Sequence, residues 1–544
     1  MLSTMQDVPL QIRRLLEHGT ARHASATVDT ATPGGLRRVS YAEIGVNAAR
    51  LAHALRELGV GEGDRVATFM WNNAEHVEAY FAVPCMGAVL HPLNIRLSGD
   101  QIAFIADHAE DRVIIVDGTL LPLLAPLLPR LKTVEHLIVN RAGGADPGAF
   151  TAPKGVTVHD YAELLAGCPA GYDWPEVDER QAAAMCYTSG TTGDPKGVVY
   201  SHRSIYLHAM AAAMPDAFDL SAHDKVLGIV PQFHVLAWGL PYAAFLTGAS
   251  LAMPDRFLSP GPLAAFIRAS RPGKGAGVPT VWQGLLAHVE GDPDADISSL
   301  REAVVGGSAC PPALMDAYDR HGITLLHAWG MTEMSPLGTV ARPPVTATGE
   351  EVRAHRLTQG RFPAPVEARL VGPDGVVLPH DGESVGELEV RGPWITGSYY
   401  RAEDPDRFHD GWLRTGDVGH ISPDGYLTLT DRAKDVIKSG GEWISSVELE
   451  NHLMGHPAVA EAAVVGVPDD KWGERPLATV VIRDGHQVTF DELRDFLATR
   501  VARWQVPERW AIVTEVPKTS VGKFSKATIR ACHAAGEYDV VYLR

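Results

Sequence analysis

"SYAEIGVNAARLAHALRELGVGEGDRVATFM", residues 40 to 70, sets a helix directly ahead of a strand. Ser40 and Glu43 stand at capping-box spacing, apolar residues follow at helical intervals, and Gly59 closes the run before "RVATFM". The same order returns in "QIAFIADHAEDRVIIVDG", residues 101 to 118. Strands alternating with helices in this way predict an α/β architecture, a mostly parallel sheet with helices on both faces. After about residue 360 the texture changes to short strand-like pieces divided by Gly, Pro and Asp, as in "VEARLVGPDGVVLPHDGESVGELEVRGP", which predicts the hairpins of a small β unit. From Asp431, "DRAKDVIKSGGEWISSVELENHLMGHPAVAEAAVVGVPD" gives charged hairpin, helix and strand. The last hundred or so residues therefore read as a separate α+β unit, and the chain divides into 1–430 and 431–544.

A chain of 544 residues exceeds one compact core, and 45% apolar with 21% charged residues is the balance of an ordinary globular protein. A net charge of −18 argues against general attraction to nucleic acid or anionic lipid, yet a local set of donors can still hold phosphate. The five cysteines are scattered, without CxxC pairs or zinc-like spacing, which points to a reducing compartment. The N-terminal residues carry early charges and no apolar h-region, so a cytoplasmic location is expected. Residues 226 to 254 hold no formal charge and are long enough for a bilayer. Pro231, Gln232, His234, Gly239 and Pro241 instead predict a buried strand, a turn and a buried helix, with no membrane span.

"YTSGTTGDPKG", residues 187 to 197, follows the strand-like "AAAMCY" and packs Thr188, Ser189, Thr191 and Thr192 around Gly190 and Gly193, ahead of Lys196. Hydroxyls and glycine amides at low steric cost can wrap an anion. No Ser or Thr follows Lys196, so this is not the P-loop pattern, and a different nucleotide geometry is implied. Taken alone, a Ser/Thr/Gly turn without ligand accounts for the composition equally well.

The loop closely resembles the phosphate signature of the adenylate-forming superfamily, which includes acyl-CoA synthetases, luciferases and peptide-synthetase adenylation domains. "GGSAC" (306–310), "HAWGMTEMSP" (327–336), "WLRTGDVG" (412–419), "DRAKDVIKSGGEWIS" (431–445) and "PKTSVGKFSK" (517–526) follow in that family's order, six blocks over about 340 residues. "HPLNIRLS", "FHVLAWGLPY" and "KSGGEWISSVELEN" are most similar to bacterial medium- and long-chain fatty-acyl-CoA synthetases and to relatives that activate small or sulfur-containing carboxylates. The resemblance implies a large N-terminal domain of two stacked α/β sheets plus a small β-barrel, followed by a mobile C-terminal lid. It also implies ATP, Mg²⁺ and CoA. A carboxylate is a poor electrophile, and transferring AMP onto it while releasing pyrophosphate supplies a leaving group. The charge that builds at phosphorus calls for a divalent metal and a preorganised cation.

Residue by residue, the resemblance gives Glu333, after Thr332, the magnesium, with Thr188 completing that site, and oxygen ligands suit this hard ion. Ser189, Gly190, Thr191, Thr192 and Lys196 fall on the phosphate loop. Asp417 falls on the ribose hydroxyls with Arg432 beside it, and Gly307, His327, Ala328 and Trp329 on the adenine slot. Lys523, in a glycine turn, matches the lysine that reaches from the lid to the α-phosphate and carboxylate oxygens. Lys434 occupies the hinge position, and Lys438, Gly440, Gly441 and Trp443 match the segment lining the pantetheine channel in the thioester step. Trp238 resembles the indole gating the fatty-acid tunnel, with His234 and Val235 alongside and no proton-transfer role for His234. Cys186 and Cys310 read as small apolar packing residues. A homodimer is implied by likeness to long-chain members alone.

Two departures touch the acyl side: "NIRL" at 94–97 where long-chain members commonly read "NPRL", and "QFHV" from Gln232 where "MFHV" is common. The reading is an ATP-dependent ligase joining a medium- or long-chain fatty acid to CoA through an acyl-adenylate. The alternatives are an aryl-alkanoate or methylthio-alkanoate CoA ligase, such as one for 3-methylthiopropanoate, an enzyme loading another acceptor such as a carrier protein, and a silent nucleotide-binding relative. Amino-acid adenylation is disfavoured because "QFHVLAW" offers no carboxylate for an α-amine.

Overall fold

The computed structural model describes residues 1, 3–144, 150–188, 194–439, 442–519 and 522–543, with Trp443 through its backbone alone. The opening stretch is a helix, Tyr41–Glu57, followed by the strand Arg65–Phe69. Ser40 caps the helix: its hydroxyl accepts from Glu43 N, and the Glu43 carboxylate accepts from Ser40 N at 2.8 Å. Such a cap contributes about 1 kcal/mol. Residues 101 to 118 repeat the pattern as the helix Gly99–Ala109 and the strand Asp111–Asp117.

Among the described residues the strands form three sheets. The first runs Thr157–Asp160, His136–Asn140, Asp111–Asp117, Arg65–Phe69, Val89–Pro92, Ala182–Tyr187 and Gly197–Ser201, parallel throughout except for the last pair. The parallel part of the second runs Thr27–Thr32, Ser250–Met253, Lys225–Gly228, Lys274–Gly277, Glu302–Gly306 and Thr324–Gly330. Antiparallel strands continue it beyond Thr324–Gly330: Leu337–Val340, Gly360–Arg361, Tyr426–Arg432, Trp412–Ile421, Gly386–Arg391 and Glu367–Val371. The hairpins expected after residue 360 are thus hydrogen-bonded into the parallel sheet through the two-residue strand Gly360–Arg361. The third and smallest sheet holds Ile437–Ser439, Glu442–Ile444, Val459–Asp469, Gly473–Ile482 and Arg509–Ile512, covered by the helices Ser446–Met454 and Lys526–Ala534. The fold is a large N-terminal α/β part followed by a small α+β part.

The uncharged stretch 226–254 is buried inside the large part as the strand Lys225–Gly228, a turn, the helix Leu240–Thr247 and the strand Ser250–Met253. Phe245 of that helix stacks on Tyr41 with ring centroids 3.9 Å apart, and both are fully buried. Burying side chains of this size stabilises by roughly 1.5–3 kcal/mol each. No helix among the described residues is long and apolar enough to cross a membrane.

Candidate functional site

The site forms where the parallel strands of the second sheet end. Glu302–Gly306 and Thr324–Gly330 lie side by side with Val305 opposite His327 and Gly306 opposite Ala328. At Gly306 a Cβ would sit 2.9 Å from Ala328 O and 3.3 Å from Trp238 Cη2, so glycine is what lets the indole approach the backbone. Gly307 has φ +87°, a left-handed conformation that disfavours side chains, and a Cβ there would sit 3.3 Å from Lys523 Cε. The lysine from the end of the chain therefore lies against the tip of strand Glu302–Gly306.

Lys523 is carried by a tight hairpin in which Thr519 N donates to Lys523 O at 2.6 Å and Lys518 bridges Phe524. The hairpin is tied to the large part by Thr280 Oγ1 donating to Gly522 O at 3.1 Å, and nearby Gln283 Nε2 donates to Ala460 O at 2.6 Å. Burial, then the neighbouring Arg432 guanidinium, push the Lys523 ammonium down to about 8, while Asp417 and Glu333 pull it the other way. His234 also feels this lysine: burial and the Lys523 charge push the imidazole down to about 3, so it is neutral at physiological pH. Sequence blocks spread over 190 positions, those of Glu333, Asp417, Arg432 and Lys523, thus share one electrostatic environment.

Asp417 and Arg432 face each other across paired strands, with Arg432 Nε 3.0 Å from Asp417 Oδ1. The second carboxylate oxygen accepts from Trp329 Nε1 at 2.7 Å. With Asp417 only 3% exposed, two fixed donors aim the carboxylate, while each oxygen keeps a lone pair for a further donor. His327, on the same strand as Trp329, lies 3.4 Å from the amide of Gln359, and burial pushes it down to about 4.

Glu333 sits in the one-turn 3₁₀ segment Thr332–Met334 and is 5% exposed. Tyr399 OH donates to its Oε1 at 2.6 Å, Arg407 approaches to 3.8 Å, and Tyr200 OH fixes the turn by donating to Thr332 O at 2.7 Å. Thr188 and Lys196 close the neck of the phosphate loop: Thr188 N donates to Lys196 O at 2.9 Å, and Lys196 N to Thr188 Oγ1 at 3.4 Å. The Lys196 ammonium pairs with Asp404 at 2.5 Å and lies over the Tyr399 ring. Ser189, Gly190, Thr191 and Thr192 lie outside the described residues, as do Gly440 and Gly441. Tyr399, Arg407 and Gln359 complete the site without a spacing signal of their own, since each acts across a long sequence gap.

Trp238 is delivered by an unusual turn. Val235, Leu236, Ala237 and Trp238 all have positive φ, between 40° and 56°, and Gly239 follows at 72°. A left-handed turn of four L-residues costs roughly 1–2 kcal/mol per residue, so packing must impose it. Cys186, at the end of the strand leading to the phosphate loop, is buried beneath it and faces the amides of Val235 and Leu236, and burial pushes its thiol up to about 12.

Lys434 is exposed on the bend after strand Tyr426–Arg432. Its ammonium feels the charges of Asp435, Arg432 and Asp417. Lys438 is exposed on the small sheet, its amide bonded to Glu474 at 2.9 Å, a contact that does not bring it to the Lys523 crevice. The hairpin of Lys438 borders a groove of about 440 Å³ lined by Ser439, Glu442, Trp472, Arg475 and Trp504.

Comparison with known proteins decides the family. Residues 16–400 match the model of the AMP-binding enzyme family, and residues 448–523 that of its C-terminal domain. The chain belongs to the AMP-binding enzyme family. Its place is among the AMP-forming acyl-CoA ligases. It is 44% identical over 535 residues to a 3-methylmercaptopropionyl-CoA ligase of Ruegeria pomeroyi, covering 97% of this chain and 98% of that protein. It is 42% identical to a medium-chain-fatty-acid–CoA ligase of Ectopseudomonas oleovorans, covering 97% of both, and 44% identical to a long-chain-fatty-acid–CoA ligase of Thermus thermophilus, covering 97% and 96%. The fold matches the crystal structure of the anthranilate CoA ligase AuaEII in complex with anthranoyl-AMP with a TM-score of 0.86 at 26% identity, over 98% of this chain and 100% of that one.

Proposed function

We propose that this ligase activates a medium- or long-chain fatty acid with ATP, forming an acyl-adenylate, and then passes the acyl group to CoA with release of AMP. The observation that carries the proposal is Lys523 lying against Gly307 within the field of Glu333, Asp417 and Arg432. In the first step the acid's carboxylate oxygen attacks the α-phosphorus and the bond to pyrophosphate breaks. Lys523 offsets the negative charge that develops there, a contribution of about 3 kcal/mol. Asp417 accepts from the ribose hydroxyls with Arg432 and Trp329 holding it, and the Gly306–Gly307 and His327–Trp329 strand ends flank the adenine. Glu333, Thr188 and the loop through Lys196 serve the phosphates.

A magnesium ion fits the donor set as far as the described residues go. Glu333 presents carboxylate oxygen and Thr188 a hydroxyl, both hard ligands, while among the described residues no cluster of three or more His, Cys, Asp or Glu stands ready to hold a metal by itself. Glu333 and Thr188 would hold such an ion, which would supply charge neutralisation at the phosphates.

In the second step the CoA sulfur attacks the acyl carbonyl and the bond to the AMP oxygen breaks. We assign this step to a lid within residues 431–544, the part beyond Lys434 turning about that residue, with Lys438, Gly440, Gly441 and Trp443 along the thiol path. The groove beside Lys438, with Trp472, Trp504 and the buried Arg475, supports that assignment because it pairs aromatic faces with a cation.

The acyl end lies at Trp238, with His234 and Val235. The 44% identity to a protein named 3-methylmercaptopropionyl-CoA ligase favours a second reading, a small sulfur-containing acid. Pyrophosphate release measured over a panel of acids from 3-methylthiopropanoate to hexadecanoate, with and without CoA, separates them. Maximal kcat/KM at eight carbons or more supports the fatty-acid reading, a maximum at 3-methylthiopropanoate supports the second, and release without thioester overturns both.

A further inference from the structure

Three residues past Lys523, Lys526 opens the helix Lys526–Ala534 with its side chain 13% exposed. Its ammonium lies 2.6 Å from Ser446 Oγ and 3.1 Å from Glu450 Oε1. Ser446 and Glu450 are one turn apart on the helix Ser446–Met454, hence on one face. Ser446 N donates to Asp431 Oδ2 at 2.7 Å, and its hydroxyl donates to the same oxygen. A hydroxyl has one proton and two lone pairs, so the proton given to Asp431 leaves a lone pair for Lys526. Alongside, Ser445 Oγ donates to Thr430 O.

The relay crosses between two parts of the fold. Thr430 and Asp431 belong to the strand Tyr426–Arg432 of the second sheet, next to Arg432 and, across the ladder, Asp417. Ser445, Ser446, Glu450 and Lys526 belong to the small α+β part. Asp431, Ser446 and Glu450 are each at most 6% exposed. A cation and two carboxylates are costly to bury and are tolerated here because each meets a partner. The arrangement also lets go cleanly: the Lys526–Glu450 ion pair lies wholly within the small part, and Asp431 keeps the amide of Arg432 at 2.7 Å. Parting breaks hydroxyl and amide bonds without stranding a buried charge.

We propose that Lys526 is a positioning residue for adenylation, which through Ser446 latches the small part onto Asp431 and so sets Lys523 at Gly307. The proposal rests on the reading that Lys523 acts at the α-phosphate. Because Asp431 and Ser446 lie on opposite sides of Lys434, the latch opens when the lid turns for the thioester step.

The test separates the two half-reactions in full-length enzyme, with decanoate or 3-methylthiopropanoate, whichever the wild type uses faster. Pyrophosphate release is measured for adenylation, and thioester formation from the supplied acyl-adenylate and CoA for the second step. Lys526→Met and Ser446→Ala are expected to lower adenylation kcat roughly tenfold or more, the worth of one or two such bonds in a transition state. KM for ATP and acid stays within about twofold, as befits loss of alignment rather than of binding. The thioester step is unchanged or faster, and Lys526→Arg restores most of the adenylation rate. Equal loss in both half-reactions, or no loss in either variant while Lys523→Ala abolishes adenylation, overturns the latch and leaves the Lys523 reading standing. Undiminished adenylation in Lys523→Ala overturns that reading and the latch with it.

Discussion

The indole of Trp329 donates to Asp417 Oδ2 at 2.7 Å while Arg432 holds Oδ1 at 3.0 Å. One donor comes from the end of a parallel strand and the other from the antiparallel extension of the same sheet, so the carboxylate is braced from both sides. Trp329→Phe keeps the ring and removes the donor. A buried carboxylate that loses one charge-assisted bond costs about 1.5–3 kcal/mol. If Asp417 binds the ribose as proposed, in both ground and transition states, the loss is expected in KM for ATP, roughly tenfold or more, with kcat changed much less. A fall in kcat with KM for ATP unaltered would place Asp417 elsewhere than on the nucleotide.

The depressed ammonium of Lys523 gives a pH signature. In the role proposed for it Lys523 stabilises developing negative charge only while protonated, and in the free enzyme burial and Arg432 bring it to about 8. Adenylation kcat/KM, which reports the free enzyme, is expected to fall as pH rises through about 8. Bound phosphates favour the charged form, so the corresponding limb in kcat lies at higher pH. In Lys523→Arg both limbs move out of the measurable range, since guanidinium does not titrate there. A wild-type kcat/KM limb that persists unchanged in Lys523→Arg assigns the titration to another group.

Much of this is legible in the sequence itself. Ser40 and Glu43 announced a capped helix, Pro231, Gly239 and Pro241 broke an uncharged stretch into buried pieces, and ordered motif blocks identified the family. What the text could not give is of two kinds. Cross-chain braces such as Tyr399 on Glu333, Gln359 beside His327 and Trp329 on Asp417 join residues 32 to 88 positions apart, and no periodicity encodes them. The left-handed turn at Val235–Trp238 goes against local preference altogether, because β-branched and bulky residues avoid positive φ, so tertiary packing decides it. The acid itself belongs to the same category, since a pocket's depth is set by how such turns pack.

Tyr399 offers a direct probe of Glu333. Its hydroxyl is 2.6 Å from Oε1, and the ring also lies under the Lys196 ammonium. Tyr399→Phe retains the ring and frees the carboxylate, which then turns toward Arg407, 3.8 Å away in the wild type. The magnesium concentration giving half-maximal pyrophosphate release is expected to rise about three- to tenfold, consistent with the loss of one hydrogen bond behind a metal ligand. A direct Mg²⁺–ATP titration of the variant by calorimetry should show the same weakening, and an unaltered magnesium dependence would remove Glu333 from the metal.

Gly239 tests whether the turn carrying Trp238 is imposed by its surroundings. Its φ is +72°, and a Cβ would come within 2.6 Å of His208 Nδ1. The imidazole cannot simply withdraw, because its Nε2 accepts from Leu337 N at 3.1 Å on the strand next to His327 and Trp329. Gly239→Ala therefore combines an unfavourable φ with a clash against an anchored ring, an expected loss of about 2–4 kcal/mol in unfolding free energy. Since Trp238 precedes this glycine and packs on Gly306, KM for the acid is expected to rise more than KM for ATP. Gly291→Ala is the control: it ends the helix Pro279–Gly291 with open space around the missing Cβ, and both its melting temperature and its kinetics should match the wild type. Equal tolerance of alanine at 239 and 291 would mean that the left-handed turn is not held by His208, and that Trp238 reaches Gly306 by some other support.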